Sequence, residues 1–395
     1  MNIPGQVTLK QGKEFSVKRF HPWIFSGAID HMSGDIRDGS WVEIQQKNGH
    51  VIGYGHYQHG SISIRILSFG NTKPTSTFWH SRIEQALLLR KTLSLPSAET
   101  DSFRLIHGEG DGLPGLIVDY YNGCAVVQAH SAGMHCDRHL ITDALKETLG
   151  GSLNSVYYKS QGTQPAKIKD ERSDEYLFGV AATPHVIKEY DRQFYVDWEE
   201  GQKTGFFLDQ RENRKLLATF CHNKRVLNTF CYTGGFSVFA LSAGATLVHS
   251  VDSSEKAIDL TRKNISLNGF DPKLHECLAE DTFEFLKERH GNYDVIILDP
   301  PAFAKHRDAR HQAVKGYQRL NAEAFRIIRP GGIVFTFSCS QVVDRKLFYD
   351  TVVSSALQSG RQVSVLYRLT QPPDHPVSMY HPEGEYLKGL VLYVE

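Results

Sequence analysis

Apolar and polar residues follow three different grammars along this chain. Near the start, Ser40-Trp41-Val42-Glu43-Ile44-Gln45 and Ser61-Ile62-Ser63-Ile64-Arg65-Ile66 place apolar residues at every second position. That is the period of a half-buried strand. Lys47-Asn48-Gly49-His50 between them is a hairpin signal, because Asn-Gly accepts positive φ. Short strands with glycine turns over residues 1–72 predict a small barrel. Asn71-Thr72-Lys73-Pro74-Thr75-Ser76 reads as a linker. Residues 75–185 mix periods and predict an α+β domain. Helices fit Phe78–Leu93 and Asp137–Leu149, and a Tyr120-Tyr121-Asn122-Gly123 turn separates two apolar strands.

From 190 to 395, strand and helix alternate. Arg225-Val226-Leu227, Val248-His249-Ser250-Val251, Val295-Ile296-Ile297-Leu298 and Ile333–Phe337 are strands. Helices fit Phe236–Ala243, Ser254–Leu267, a segment ending over Ala322–Ile328, and one that Asp344 could cap. Pro330-Gly331-Gly332 is expected to turn into the last of these strands. Continuous apolar strands separated by helices mean a parallel sheet covered on both faces. The predicted class is thus α/β, with a small barrel and an α+β domain before it.

The 395 residues are 41% hydrophobic and 22% charged, which excludes a wholly disordered chain. No apolar run approaches the ~18 residues of a membrane helix. None of the six cysteines forms a Cys-x-x-Cys pair, so no metal is expected, and scattered single cysteines fit a reducing cytoplasm.

Ligands of such sheets sit beyond the carboxyl ends of the strands. After the first strand comes Asn228-Thr229-Phe230-Cys231-Tyr232-Thr233-Gly234-Gly235-Phe236. Paired glycines let a ligand approach the backbone, but this is not the G-x-G-x-x-G of dinucleotide enzymes. Asp252 follows the second strand, where an acid can accept both hydroxyls of a ribose. Asp281 starts Asp281-Thr282-Phe283-Glu284, which fits an adenine contact and a helix-capping box equally. Asp299-Pro300-Pro301-Ala302-Phe303 follows the fourth strand, and Pro-Pro must leave the sheet there.

Cys339 follows the fifth strand, and so shares the edge of Asp299 and Gly234. A nucleophilic cysteine is what methylation of pyrimidine carbon 5 requires, because that carbon attacks a sulfonium methyl only after a thiolate has added to carbon 6. Asp299 could hold the cytosine. Methylation of an exocyclic nitrogen would need the Asp-Pro-Pro-aromatic geometry but no cysteine.

These motifs resemble class I S-adenosylmethionine methyltransferases. The resemblance extends to Lys203–Arg214, similar to an extra cofactor motif, and to Arg104–Leu116, similar to a central-domain signature. His21-Pro22-Trp23-Ile24-Phe25-Ser26-Gly27 and the strands after it resemble an RNA-binding PUA domain. Over the whole chain the pattern is similar to the bacterial methyltransferases that make 5-methylcytosine in 23S ribosomal RNA. The resemblance implies a seven-stranded Rossmann-like sheet and S-adenosyl-L-methionine as cofactor. It implies Asn228, Tyr232, Gly234, Gly235, Asp252 and Asp281 as cofactor residues, with Phe206, Asp209 and Arg211 near the methionine end. Cys339 would be the nucleophile and Asp299 the acid that holds the base. Other RNA cytosine-5 methyltransferases carry a second cysteine in a Pro-Cys motif, and no cysteine here follows a proline.

Charge sharpens the expected partner. The chain's formal net charge is zero, but residues 1–75 hold eight Lys+Arg against five Asp+Glu. Residues 301–329 hold seven, including Lys305, Arg307 and Arg310, against two acids. A basic run is often only a solvated helix face. Here it follows Asp299 directly and could take RNA phosphates around a flipped-out base. The rival readings are a base N-methyltransferase and a non-catalytic RNA-binding assembly factor. A nicotinamide dehydrogenase fits least.

Overall fold

The computed structural model describes residues 3–163, 174–288, 293–304 and 306–395. Two compact units emerge. The first comprises Met1–Ile187, Val196–Leu208 and Pro373–Gly384; the second comprises Lys188–Tyr195, Asp209–Pro372 and Glu385–Glu395. No helix among the described residues is long and apolar enough to cross a membrane.

In the first unit, six strands form one sheet and five another. The Asn48-Gly49 turn is present, with Gly49 at φ +81. It joins Trp41–Gln45 to Val51–Tyr57, however, and the strand Ile62–Phe69 pairs beyond that. The sequence pattern misses Val51–Tyr57 because Gly53, Gly55 and His56 interrupt its alternation. Gly55 has a physical cause: a Cβ there would lie 2.2 Å from the carbonyl oxygen of Arg65 on the next strand. The turn expected over Tyr120–Gly123 is shorter. Both tyrosines stay in the strand Leu116–Tyr121, and only Asn122 and Gly123 turn, at φ +40 and +96. The central motif is held by buried ion pairs: Arg104 clasps Asp119 at 2.7 and 2.8 Å, and Arg90 clasps Asp111. Gly110 admits no side chain, since its Cβ would strike the Pro376 carbonyl.

The second unit is built on seven strands: β1 Arg225–Thr229, β2 Leu247–Asp252, β3 His275–Ala279, β4 Tyr293–Leu298, β5 Ile328–Ser338, β6 Val363–Leu369 and β7 Lys388–Val394. Their order is 3-2-1-4-5-7-6, with β7 antiparallel to both neighbours. The helices are α1 Arg211–Ala218, α2 Gly235–Ser242, α3 Glu255–Leu267, α4 Thr282–Glu288, α5 Arg310–Ile327 and α6 Arg345–Ser359. Ser254 and Asp344 cap α3 and α6 through their side chains. The β5 strand begins earlier than the pattern predicts. Tyr293 pairs with Ile328 and Val295 with Ile333, so Pro330-Gly331-Gly332 bulges out within the strand. One face is filled by Ile296, Leu298, Tyr317, Phe325, Val334 and Phe348, all essentially inaccessible.

Candidate active site

Strand register gathers the chemistry. Thr229 stands beside Val251 and Leu298, Asp252 beside Ala279, and Leu298 beside Thr336. The segments that carry Asp252, Asp281, Asp299 and Cys339 therefore all leave the sheet at its carboxyl edge.

The loop after β1 is bent sharply, with Phe230, Tyr232 and Gly234 at φ +52, +48 and +74. It is clamped from α3. Thr261 Oγ1 donates to the Tyr232 carbonyl and Asn264 Nδ2 to the Thr233 carbonyl, each at 2.8 Å. A Cβ on Gly234 would lie 2.6 Å from Thr261 Cγ2, and one on Gly235 would lie 3.1 Å from Arg214 Cδ. Gly234 is thus required by the protein's own packing and Gly235 is tightly packed, a cause the sequence does not reveal. Asp252 braces the same loop. One carboxylate oxygen accepts from the Tyr232 amide and the other from the Ser254 amide, each at 3.0 Å.

Beneath the loop runs a polar chain that sequence reading misses. Asn228 Nδ2 donates to Ser237 Oγ at 2.9 Å, Ser237 meets Ser250 at 2.6 Å, and Ser250 meets His275 Nε2 at 2.8 Å. Burial, with His249 and Arg262 nearby, pushes His275 down to about 4, so its ring is neutral near pH 7. The only signal for this chain in the sequence is polar residues on an otherwise apolar strand and helix.

Asp281 is the side-chain cap of α4: its Oδ1 accepts from the amides of Phe283 and Glu284 at 2.9 and 3.1 Å. The cap half of the capping-box reading is thus present, while the Glu284 carboxylate pairs with Lys287. Asp209 is buried and accepts from the Tyr386 hydroxyl at 2.7 Å; Arg211 is buried against Glu212 at 3.2 Å. Between them lies a residue the sequence reading passed over. Gln210 Nε2 donates to Asp299 Oδ2 at 3.0 Å, and Asn213 holds the other end of the same amide at 2.6 Å. Phe206 belongs to the first unit, where its carbonyl accepts from the Tyr121 hydroxyl at 3.4 Å.

Cys339 is half-buried just past β5. Ser340 ties its loop down twice: Oγ donates to the Ala304 carbonyl of the Asp-Pro-Pro loop, and its own carbonyl accepts from Lys388 Nζ, both at 2.7 Å. Phe303 does not stand free at this edge; its ring lies 4.6 Å from that of Tyr317 and fills the space that Gly316 leaves. Burial pushes the Tyr317 phenol well up, with Cys339 and Asp299 adding to the rise. A second thiol near this edge, Cys231 of the glycine loop, is buried against Thr261 at 3.7 Å and is pushed far up by that burial and by Asp252.

Of the basic run, Lys305 lies outside the described residues, as does the side chain of Arg307. Arg310 is exposed and stands 3.9 Å from Asp344. Lys315 is exposed on α5, whereas Arg326 pairs with Glu323 and Arg329 with Asp294. In the first unit, His21, His381 and Glu383 bring ligand-type atoms within 4.8 Å of one another. The Nδ1 of His21 already accepts from the Trp23 amide at 3.2 Å.

An S-adenosylmethionine-dependent methyltransferase family model matches residues 103–390, and a PUA-like domain model matches residues 7–69. The ribosomal RNA large subunit methyltransferase I of Alteromonas mediterranea is 38% identical, over 99% of both chains. That of Aeromonas hydrophila is 39% identical, again over 99% of both. The chain belongs to this methyltransferase family. A solved methyltransferase chain complexed with SAH shares the fold, with a TM-score of 0.84 at 21% identity over 98% of this chain and 99% of that one.

S-adenosylmethionine is accordingly the cofactor of this methyltransferase, and the edge offers groups that fit it. Asn228 Oδ1 is a buried acceptor with no donor among the described residues. Asp252 is half-exposed, and each of its oxygens keeps a lone pair beyond its one backbone bond, which suits a ribose diol.

Proposed function

We propose that this methyltransferase methylates carbon 5 of a cytosine in 23S ribosomal RNA, by way of a covalent adduct between Cys339 and carbon 6. The reading is carried by one observation: Ser340 fastens the Cys339 loop to the Asp299-Pro300-Pro301-Ala302 loop through the Ala304 carbonyl. The segments that carry the proposed nucleophile and the proposed base-holding acid are thus tied to each other, which supports the reading. The names of the curated relatives support a large-subunit rRNA substrate.

Bound S-adenosylmethionine supplies an electrophilic methyl group. The Cys339 thiolate forms the Sγ–C6 bond, and the displaced electron pair makes carbon 5 nucleophilic. Asp299, oriented by Gln210, holds the cytosine by hydrogen bonding. After methyl transfer a base removes the proton from carbon 5, its electron pair restores the C5–C6 double bond, and the Sγ–C6 bond breaks. Asn228, Tyr232, Gly234, Gly235, Asp252 and Asp281 take the nucleoside end of the cofactor, and Phe206, Asp209 and Arg211 its methionine end. The barrel of residues 1–72 takes RNA phosphates. The basic positions Lys305, Arg307 and Arg310 take those around the flipped base.

The test is Cys339→Ala incubated with rRNA and cofactor, read by nucleoside mass spectrometry. We expect loss of 5-methylcytosine with cofactor binding retained. Substantial 5-methylcytosine from this variant overturns the nucleophile, and a methylated exocyclic nitrogen overturns the position.

A further inference from the structure

Lys388 is only 4% exposed, an unusual place for a lysine. It opens β7 and pairs in register with Ser338, the residue before Cys339. Its ammonium donates to the carbonyl of Ser340, the residue after Cys339. The lysine therefore straddles the cysteine. Among the described residues, no carboxylate lies within ion-pair distance of Lys388. A buried cation without a counter-ion is costly, and such residues are kept where an anion forms nearby.

We infer that Lys388 is a positioning residue that holds Cys339 as a thiolate, with its buried ammonium as counter-ion. This rests on the reading of Cys339 as the nucleophile. The groups that act on Lys388 electrostatically are Cys339, Arg345 and, more weakly, Asp344. Arg345 is engaged by Glu385. That leaves the thiol as the acid best placed to supply the missing negative charge.

Desolvation brings Lys388 down to about 8, and Cys339 opposes that fall. Lys388 keeps its ammonium protons: the Sγ–H bond of Cys339 breaks by loss of its proton to solvent water, and the thiolate left behind pairs with the ammonium. The lysine serves twice in the cycle. It stabilises the thiolate that adds to carbon 6, and again the thiolate expelled when the adduct collapses. Its tether to the Ser340 carbonyl fixes the cysteine backbone in the same stroke.

The experiment measures iodoacetamide alkylation of Cys339 in the full-length protein against pH, by peptide mass spectrometry. In the unmodified protein the midpoint is expected below the free-thiol value of about 8.5. A midpoint at or above that value overturns the inference with no variant needed. Lys388→Met, of similar size and no charge, is expected to raise the midpoint by about one pH unit. It should also lower methyl transfer about tenfold at pH 7.5 while sparing cofactor binding. Lys388→Arg keeps the charge and should keep the low midpoint. If Met and Arg shift the midpoint equally, or Met leaves it unchanged while the cofactor still binds, Lys388 is only a packing residue. The alkylation profile is read without methyl transfer. A Cys339→Ala enzyme that still makes 5-methylcytosine would therefore sink the proposed mechanism while leaving the ion pair measurable on its own.

Discussion

Asn264 Nδ2 donates to the Thr233 carbonyl at 2.8 Å, so helix α3 holds the glycine loop from behind. The same side chain accepts from the Tyr195 amide at 2.8 Å and is wholly buried. Asn264→Ala leaves both backbone groups without a partner. The loss is expected to be about 2–4 kcal/mol of stability, each orphaned buried group costing about 1–3. Urea denaturation measures it. Calorimetry should show weaker S-adenosylmethionine binding, because the loop is then free to open.

Gly234 is the tightest point of that loop. Its φ of +74 suits glycine, and any Cβ would lie 2.6 Å from Thr261 Cγ2. Gly234→Ala is expected to cost about 2–4 kcal/mol, combining backbone strain with overpacking. Thr261→Ser removes the offending methyl while keeping the hydroxyl that bonds the Tyr232 carbonyl. The double variant should regain about half of the lost stability and cofactor affinity. If it regains neither, the clash is not what makes Gly234 necessary.

The cysteines should separate sharply by reactivity. Burial raises Cys221 to about 12 and Cys124 to about 11, and pushes Cys231 higher still. A raised thiol stays protonated and unreactive up to its own titration point, so none of the three should label at pH 8 in the native protein. Half-buried Cys339 should label there fastest, and Cys136, exposed but raised by partial burial of its thiol and by Asp137, more slowly. Half-buried Cys277, raised by burial to about 11, should stay silent with those three, and urea should release Cys221, Cys231 and Cys277 as the second unit unfolds and Cys124 as the first does. Early labelling of Cys231 in native protein would contradict its assignment as a packing residue.

Which features were legible in the sequence follows from what kind of feature they are. The parallel sheet showed through because its strands are continuous apolar runs, and register alone then brings Asp252, Asp299 and Cys339 to one edge. Asp344 was legible as a cap because capping is local, whereas Ser254, read as the first helical residue, is the cap of α3. Gln210 on Asp299 and Lys388 on Ser340 join residues 89 and 48 positions apart. No local pattern marks such pairs. The strand Val51–Tyr57 failed for a related reason: Gly55 answers to the backbone of Arg65 on a neighbouring strand rather than to its own period. The β5 bulge likewise depends on how Tyr293 and Val295 pair with it.

RNA binding at the basic run is expected to be electrostatic and confined. Arg326 and Arg329 are engaged by Glu323 and Asp294, so they have little to offer a phosphate. Arg310 and Lys315 are exposed at the start of α5, and Arg310 has only a distant acid at 3.9 Å. Reversing both to Glu should weaken rRNA binding at low salt by at least tenfold. The slope of log K against log salt should fall by about two, near one for each phosphate left without its cation. Reversing Lys256 and Lys263, equally exposed on α3, serves as the control for net charge. Cofactor affinity should stay constant in both variants. Equal losses from the two pairs would return α5 to an ordinary solvated face, because a general change in net charge would then account for the whole effect.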